Sequence, residues 1–131
     1  MQLRGLVIEG LGEGRKLGYP TANLDCDDKQ LESGVYAARV LYKGQSYGAA
    51  LAIGGDFGQD SRRKVEVHLL DLDPRTVLNG DELAVEVLEK VSEMRKVETL
   101  KELIEKIEED IGEIRGILDI KNKKAKSKNT Y

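Results

Sequence analysis

The chain has a single cysteine, Cys26, so it forms no internal disulfide, which fits a reducing cytosol. No apolar run approaches the length of a membrane span, and no charged-then-apolar leader precedes the first strand-like segment. A soluble, cytoplasmic protein without membrane attachment is therefore expected. There is no internal repeat. The chain also lacks a surplus of positive charge: the formal net charge is −3, which argues against nucleic acid as a partner of the domain as a whole. With 131 residues, 40% apolar and 34% charged, there is material for one globular domain around one core and not for two. A monomer is expected.

What is present is glycine, and much of it is concentrated near the N-terminus. The stretch Gly10-Leu-Gly-Glu-Gly-Arg-Lys-Leu-Gly-Tyr-Pro-Thr-Ala-Asn-Leu24 joins a glycine-rich loop with a basic pair to a Pro-Thr-Ala-Asn run. Glycine lets a backbone approach phosphate closely, where a Cβ would hold the ligand away. Free N–H groups in such a turn form an anion-binding nest, and Arg15 and Lys16 add charge. Thr21 and Asn23 offer a hydroxyl and an amide carbonyl two residues apart, on one side of an extended segment. A Mg²⁺ ion already held by phosphate oxygens needs only one or two such ligands from protein. The loop reads as a nucleotide-phosphate and metal site. Each part also has a plainer reading: glycine turns between strands are common, and Thr and Asn in such a run bond their own backbone.

The remaining pattern is mostly β, closed by a helix. Leu3 to Glu9 reads as a first strand feeding the glycine loop, and Cys26 to Ser33 as a polar connection. Gly34 to Tyr42 is rich in β-branched and aromatic residues, and Lys43-Gly44 is a hairpin turn into Gln45 to Ile53. Gly54 to Ser61 is a turn-rich loop. Lys64 to Leu72 alternates, with Val65, Val67 and Leu69 on one face and Glu66, His68 and Leu70 on the other. Asn79-Gly80-Asp81 is a further turn before a strand from Leu83 to Val91. Thr99 and Glu102 have capping-box spacing, and Leu100, Leu103, Ile104, Ile107 and Ile111 form one helical stripe. Gly112 offers a stop, although Ile114, Ile117 and Leu118 continue the face. Residues 1–112 are read as a small antiparallel barrel domain with its closing helix. Residues 113–131 are read as a helix extension and a lysine-rich, disordered tail. Glu66 on a half-buried sheet is compatible with a solvated face, and His68 beside it is read as structural or as a support behind the site. Cys26 is read as incidental and the tail as a solubilising end.

In order and spacing, these pieces resemble the riboflavin kinase (flavokinase) family of bacterial and eukaryotic type. The resemblance rests on the Gly10–Leu24 run, on Gly34-Val-Tyr-Ala37, on Val65-Glu-Val-His-Leu-Leu-Asp71, on Leu78-x-Gly80 and on the helix through Asp110. It implies a six-stranded antiparallel Greek-key barrel with a C-terminal helix. It also implies transfer of the γ-phosphoryl group of ATP to the ribityl 5′-hydroxyl of riboflavin, giving FMN and ADP, with Mg²⁺. By resemblance, Gly10, Gly12, Gly14, Arg15, Lys16 and Gly18 cover the nucleotide phosphates. Thr21 and Asn23 hold the metal, and Glu66 is the catalytic base. The loop is neither a Walker motif nor a dinucleotide fingerprint.

The departures from the family pattern cluster on the flavin side. Ile53-Gly-Gly-Asp-Phe-Gly-Gln-Asp60 lacks a proline that the family usually has, and Asn79 stands where an aromatic residue is usual. Ser92 stands where the family places a flavin-contacting arginine, and Val97 replaces a phenylalanine; Arg95 or Phe57 is available to compensate. Ser92, Arg95 and Val97 are the expected flavin-side positions. The chain lacks the adenylyltransferase domain that precedes the kinase in many bacterial enzymes, so formation of FMN and not FAD is expected. The alternatives are a degenerate, non-catalytic flavin- or nucleotide-binding module of the same fold, a regulatory protein whose basic tail contacts RNA, and a kinase for another alcohol or nucleotide.

Overall fold

The computed structural model describes residues 1–8, 18–26, 31–54, 63–73 and 75–128, with side chains through 123. Its strands are β1 (Gln2–Ile8), β2 (Ala22–Asp25), β3 (Gly34–Tyr42), β4 (Gln45–Gly54), β5 (Lys64–Leu69) and β6 (Glu82–Ser92), followed by helix α1 (Leu100–Lys128). The strands close into an antiparallel barrel in the order β1-β2-β5-β4-β3-β6. The run β2-β5-β4-β3 is a Greek key: three consecutive strands, with the one before them returning beside the last. No described helix is long and apolar enough to cross a membrane.

Local chemistry explains the elements. The β3–β4 hairpin turns on two residues, Lys43 and Gly44, both at positive φ (48° and 77°), as a type I′ turn requires. Alternation then sorts side chains between the barrel interior and its outside. Leu3, Val40, Leu51, Ile53, Val67, Leu83 and Val85 fill the interior. On β3 the odd residues Val35 and Ala37 are buried as well, because α1 covers that outer face with Ile111, Ile114, Ile117 and Leu118. The barrel is therefore apolar inside and, on one flank, outside.

The helix is longer than its glycines suggest. Gly112 does not end it, and α1 runs to Lys128, well into the segment read as a disordered tail. A Cβ at Gly112 or Gly116 would meet nothing within 4 Å. Each glycine costs roughly 1 kcal/mol in a helix, and the burial of Ile114 (0% exposed) just beyond Gly112 offsets it. Leu100, counted in the apolar stripe, is instead 65% exposed, so the seal on the barrel is made by the later turns. At the N-terminus Glu102 N–H donates to Thr99 Oγ1 (3.1 Å), while the Glu102 carboxylate accepts from the backbone of Glu98 (3.2 Å) and not of Thr99. Arg115 donates to both carboxylate oxygens of Asp71 (3.1 and 3.0 Å). This fastens the turn after β5 to α1 and holds the Asp71 carboxyl below its usual pKa. Asp71 adopts a left-handed φ of 63°, which aspartate tolerates better than most residues.

Gly5 carries a constraint that sequence pattern does not reveal. A Cβ there would lie 2.6 Å from the backbone oxygen of Asp25 and 2.7 Å from Cys26 Cβ, where β1 crosses the end of β2. Gly5→Ala is expected to destabilise the fold by about 1–3 kcal/mol. A denaturant titration reads the loss directly, and an unchanged midpoint would show that β2 gives way freely.

Candidate active site

The segment leading into β2 carries two of the expected site residues. Ala22 and Leu24 face the barrel interior, so Asn23 projects outward, and Thr21 just before the strand is exposed. β2 pairs with β5 in a register that sets Ala22 opposite Val67 and Asn23 directly opposite Glu66. Directly opposed residues in an antiparallel pair have Cβ atoms about 4.5–5.5 Å apart. An amide and a carboxylate thus share one patch of the outer barrel surface, although they come from distant parts of the chain. On the other side of β5, Ala52 stands opposite Glu66 and Ala50 opposite His68. Both of these neighbours are small side chains.

His68 shares the outer face of β5 with Glu66. Its Nδ1 lies 2.8 Å from the carbonyl oxygen of Pro20. The Tyr19 ring meets the imidazole edge-on, with centroids 6.0 Å apart and planes at 75°. The Tyr19 hydroxyl in turn donates to Glu108 Oε1 of α1 (3.2 Å). Loss of surrounding water and the adjacent Glu108 carboxylate, which accepts its proton and repels the phenolate, hold the Tyr19 hydroxyl above its usual pKa. Gly18, immediately before Tyr19, has φ +86°, a conformation suited to glycine. Gly10, Gly12, Gly14, Arg15 and Lys16 lie outside the described residues, as do Phe57 and most of the loop after Gly54.

Two of the expected flavin-side positions, Arg95 and Val97, lie in a cleft that also includes Glu108, the partner of Tyr19. Arg95, Lys96 and Val97 form one wall of an open cleft of about 780 Å³, and Glu102, Glu105, Lys106, Glu108 and Glu109 of α1 form the other. Ser92, at the end of β6, accepts a hydrogen bond from Lys106 Nζ (3.1 Å), and the same ammonium pairs with Asp110 (2.7 Å). Lys106 and Asp110 are only 11% and 12% exposed. Sequence reading missed this pair, although the i, i+4 spacing of opposite charges within an apolar stripe was its signal. Asn79 lies in the turn before β6, whose Gly80 has φ +87°.

Among the described residues no group of three or more His, Cys, Asp or Glu side chains gathers to hold a metal. The oxygen on offer opposite Glu66 is the neutral Asn23 amide, with the Thr21 hydroxyl two residues before it in the chain. Such hard, uncharged donors suit Mg²⁺ that brings phosphate and water as its other ligands.

The family model for flavokinase (riboflavin kinase) matches residues 1–118. The "RNA-binding riboflavin kinase RibR" of Bacillus subtilis is 31% identical over 111 residues, spanning 83% of this chain and 47% of that protein. The bifunctional riboflavin kinase/FMN adenylyltransferase of the same organism is 31% identical over 114 residues, covering 82% of this chain and 35% of its own length. The chain thus spans about half or less of the curated relatives it matches. Among solved structures, riboflavin kinase from Trypanosoma brucei superposes with a TM-score of 0.66 at 25% identity, over 90% of this chain and 79% of that one. A protein from Streptococcus pneumoniae described as a macrolide-efflux protein superposes with a TM-score of 0.79 at 29% identity, over 87% of this chain and 38% of its own.

Proposed function

The chain belongs to the riboflavin kinase family, and from that membership we propose that it phosphorylates riboflavin at the ribityl 5′-hydroxyl, with ATP as donor. The observation that carries this reading is the register that sets Asn23 opposite Glu66. A primary alcohol is a weak nucleophile at neutral pH. A carboxylate within hydrogen-bond reach orients it and takes its proton as the new O–P bond forms. The bond from the γ-phosphorus to the bridging oxygen breaks, ADP departs, and Glu66 returns the proton to water.

Phosphoryl transfer asks little covalent work of the protein beyond alignment and charge neutralisation. Thr21 and Asn23 are the residues that would hold Mg²⁺, which supplies neutralisation of the phosphate charge when bound. The glycine loop from Gly10 to Gly18 would cover the phosphates, with Arg15 and Lys16 adding charge. Arg95 and Val97 would border the isoalloxazine ring in the cleft beside α1, a cleft whose lining is otherwise charged. Ser92 would act there through Lys106, which it binds.

Incubating the protein with riboflavin and Mg-ATP and resolving the flavins chromatographically tests the proposal. FMN must appear; flavin that binds and stays unphosphorylated would instead mark a non-catalytic binding module. Repeating the assay with other nucleotide donors defines the base preference. Thr21→Ala is expected to raise the Mg²⁺ concentration for half-maximal rate by roughly tenfold, the order of one lost hydrogen-bond-scale contact. An unchanged titration would remove Thr21 from the metal site.

A further inference from the structure

We propose that His68 is a positioning residue that locks the metal-binding turn onto the strand carrying the catalytic carboxylate, an inference that rests on the kinase reading above. The backbone ladder between β2 and β5 covers only Ala22 and Asn23. It stops there for a chemical reason: two residues earlier stands Pro20, which has no N–H to donate. Thr21, the first of the two neutral oxygen donors, therefore lies just outside the ladder. The contact from His68 Nδ1 to the Pro20 carbonyl (2.8 Å) bridges that gap with a side chain.

The chemistry of the contact fixes the state of the ring. A carbonyl oxygen only accepts, so Nδ1 carries the hydrogen and donates it. The bond pins the residue before Thr21 to β5, while the Ala22–Val67 pairing pins the residue after it. Thr21 is thus clamped on both sides to the strand that presents Glu66. The Tyr19 ring, itself held by Glu108 of α1, packs edge-on against the imidazole and restricts its rotation. His68 needs no contact with substrate to matter; it sets where the Thr21 hydroxyl sits relative to the carboxylate.

Three variants of the full chain test this: His68→Ala, His68→Asn and His68→Gln. The asparagine amide nitrogen reaches the position of Nδ1, whereas the glutamine amide reaches that of Nε2 and misses the carbonyl. Binding of Mg-ATP is measured calorimetrically without riboflavin, and riboflavin binding separately by fluorescence quenching. The alanine and glutamine variants are expected to bind Mg-ATP about tenfold more weakly, and asparagine to come within about threefold of the parent. Riboflavin affinity should stay unchanged in all three. Because glutamine keeps the side-chain bulk, the asparagine–glutamine comparison stands even if the alanine variant unfolds. Parent-like Mg-ATP binding in the glutamine variant, or failure of asparagine to rescue it, would overturn the proposal. Failure of the parent itself to bind Mg-ATP would instead overturn the kinase reading.

Discussion

Glu66→Gln is expected to slow FMN formation by about 10²-fold or more while leaving Mg-ATP binding near that of the parent. Glutamine fills the same space on the outer face of β5 and still hydrogen-bonds a hydroxyl, but it does not take the proton. The loss should therefore fall on turnover and not on nucleotide affinity, and single-turnover rates beside a calorimetric titration separate the two. The assignment depends on Asn23 standing opposite Glu66, since a base is useful only next to the site of phosphoryl transfer. Equal rates for variant and parent would eliminate Glu66 as the base.

The second large effect is on stability. Asp110→Ala is expected to cost about 1–3 kcal/mol, because it removes the carboxylate paired with the Lys106 ammonium where both side chains are little exposed. Ser92 Oγ, the ammonium's other neighbour, is a neutral acceptor and does not replace a carboxylate. The melting temperature should fall by roughly 5 °C or more. Replacing the pair together, as Lys106→Met with Asp110→Leu, should recover most of that loss. The recovery would show that the penalty belongs to a half-buried charge left without its partner and not to the pair's own attraction. Thermal unfolding of the single and double variants measures both values. A single variant as stable as the parent, or a double variant as unstable as the single, would contradict this account.

Local chemistry made several elements readable in advance. The Lys43-Gly44 hairpin, the alternation of β5 and the apolar stripe of α1 each follow from side chains and their spacing. Thr21, Asn23 and Glu66 were legible as candidates from residue type and family resemblance. Their adjacency was not, because it depends on how the barrel closes and on the β2–β5 register, which no local pattern specifies. The same holds for contacts between distant segments: Gly5 against Asp25 and Cys26, His68 against Pro20, and Lys106 against Ser92. The helix carries two opposed local signals, and it also continues through the lysine-rich end to Lys128. Gly112 carries a local stop signal, but burial of Ile114 against β3 and β4 outweighs the propensity of a single residue. Of the positions expected on the flavin side, Arg95 and Val97 line a cleft and Ser92 bonds Lys106, which lines it too.

A strand-borne carboxylate opposite a turn of neutral oxygen donors is what would make this barrel a phosphotransferase for the flavin side chain. The most direct test is a time course of riboflavin with Mg-ATP in which FMN and ADP are quantified together. The account predicts that both accumulate in equal amounts, and that neither forms at a comparable rate with Glu66→Gln. ADP without FMN, or bound flavin with no product at all, would contradict it.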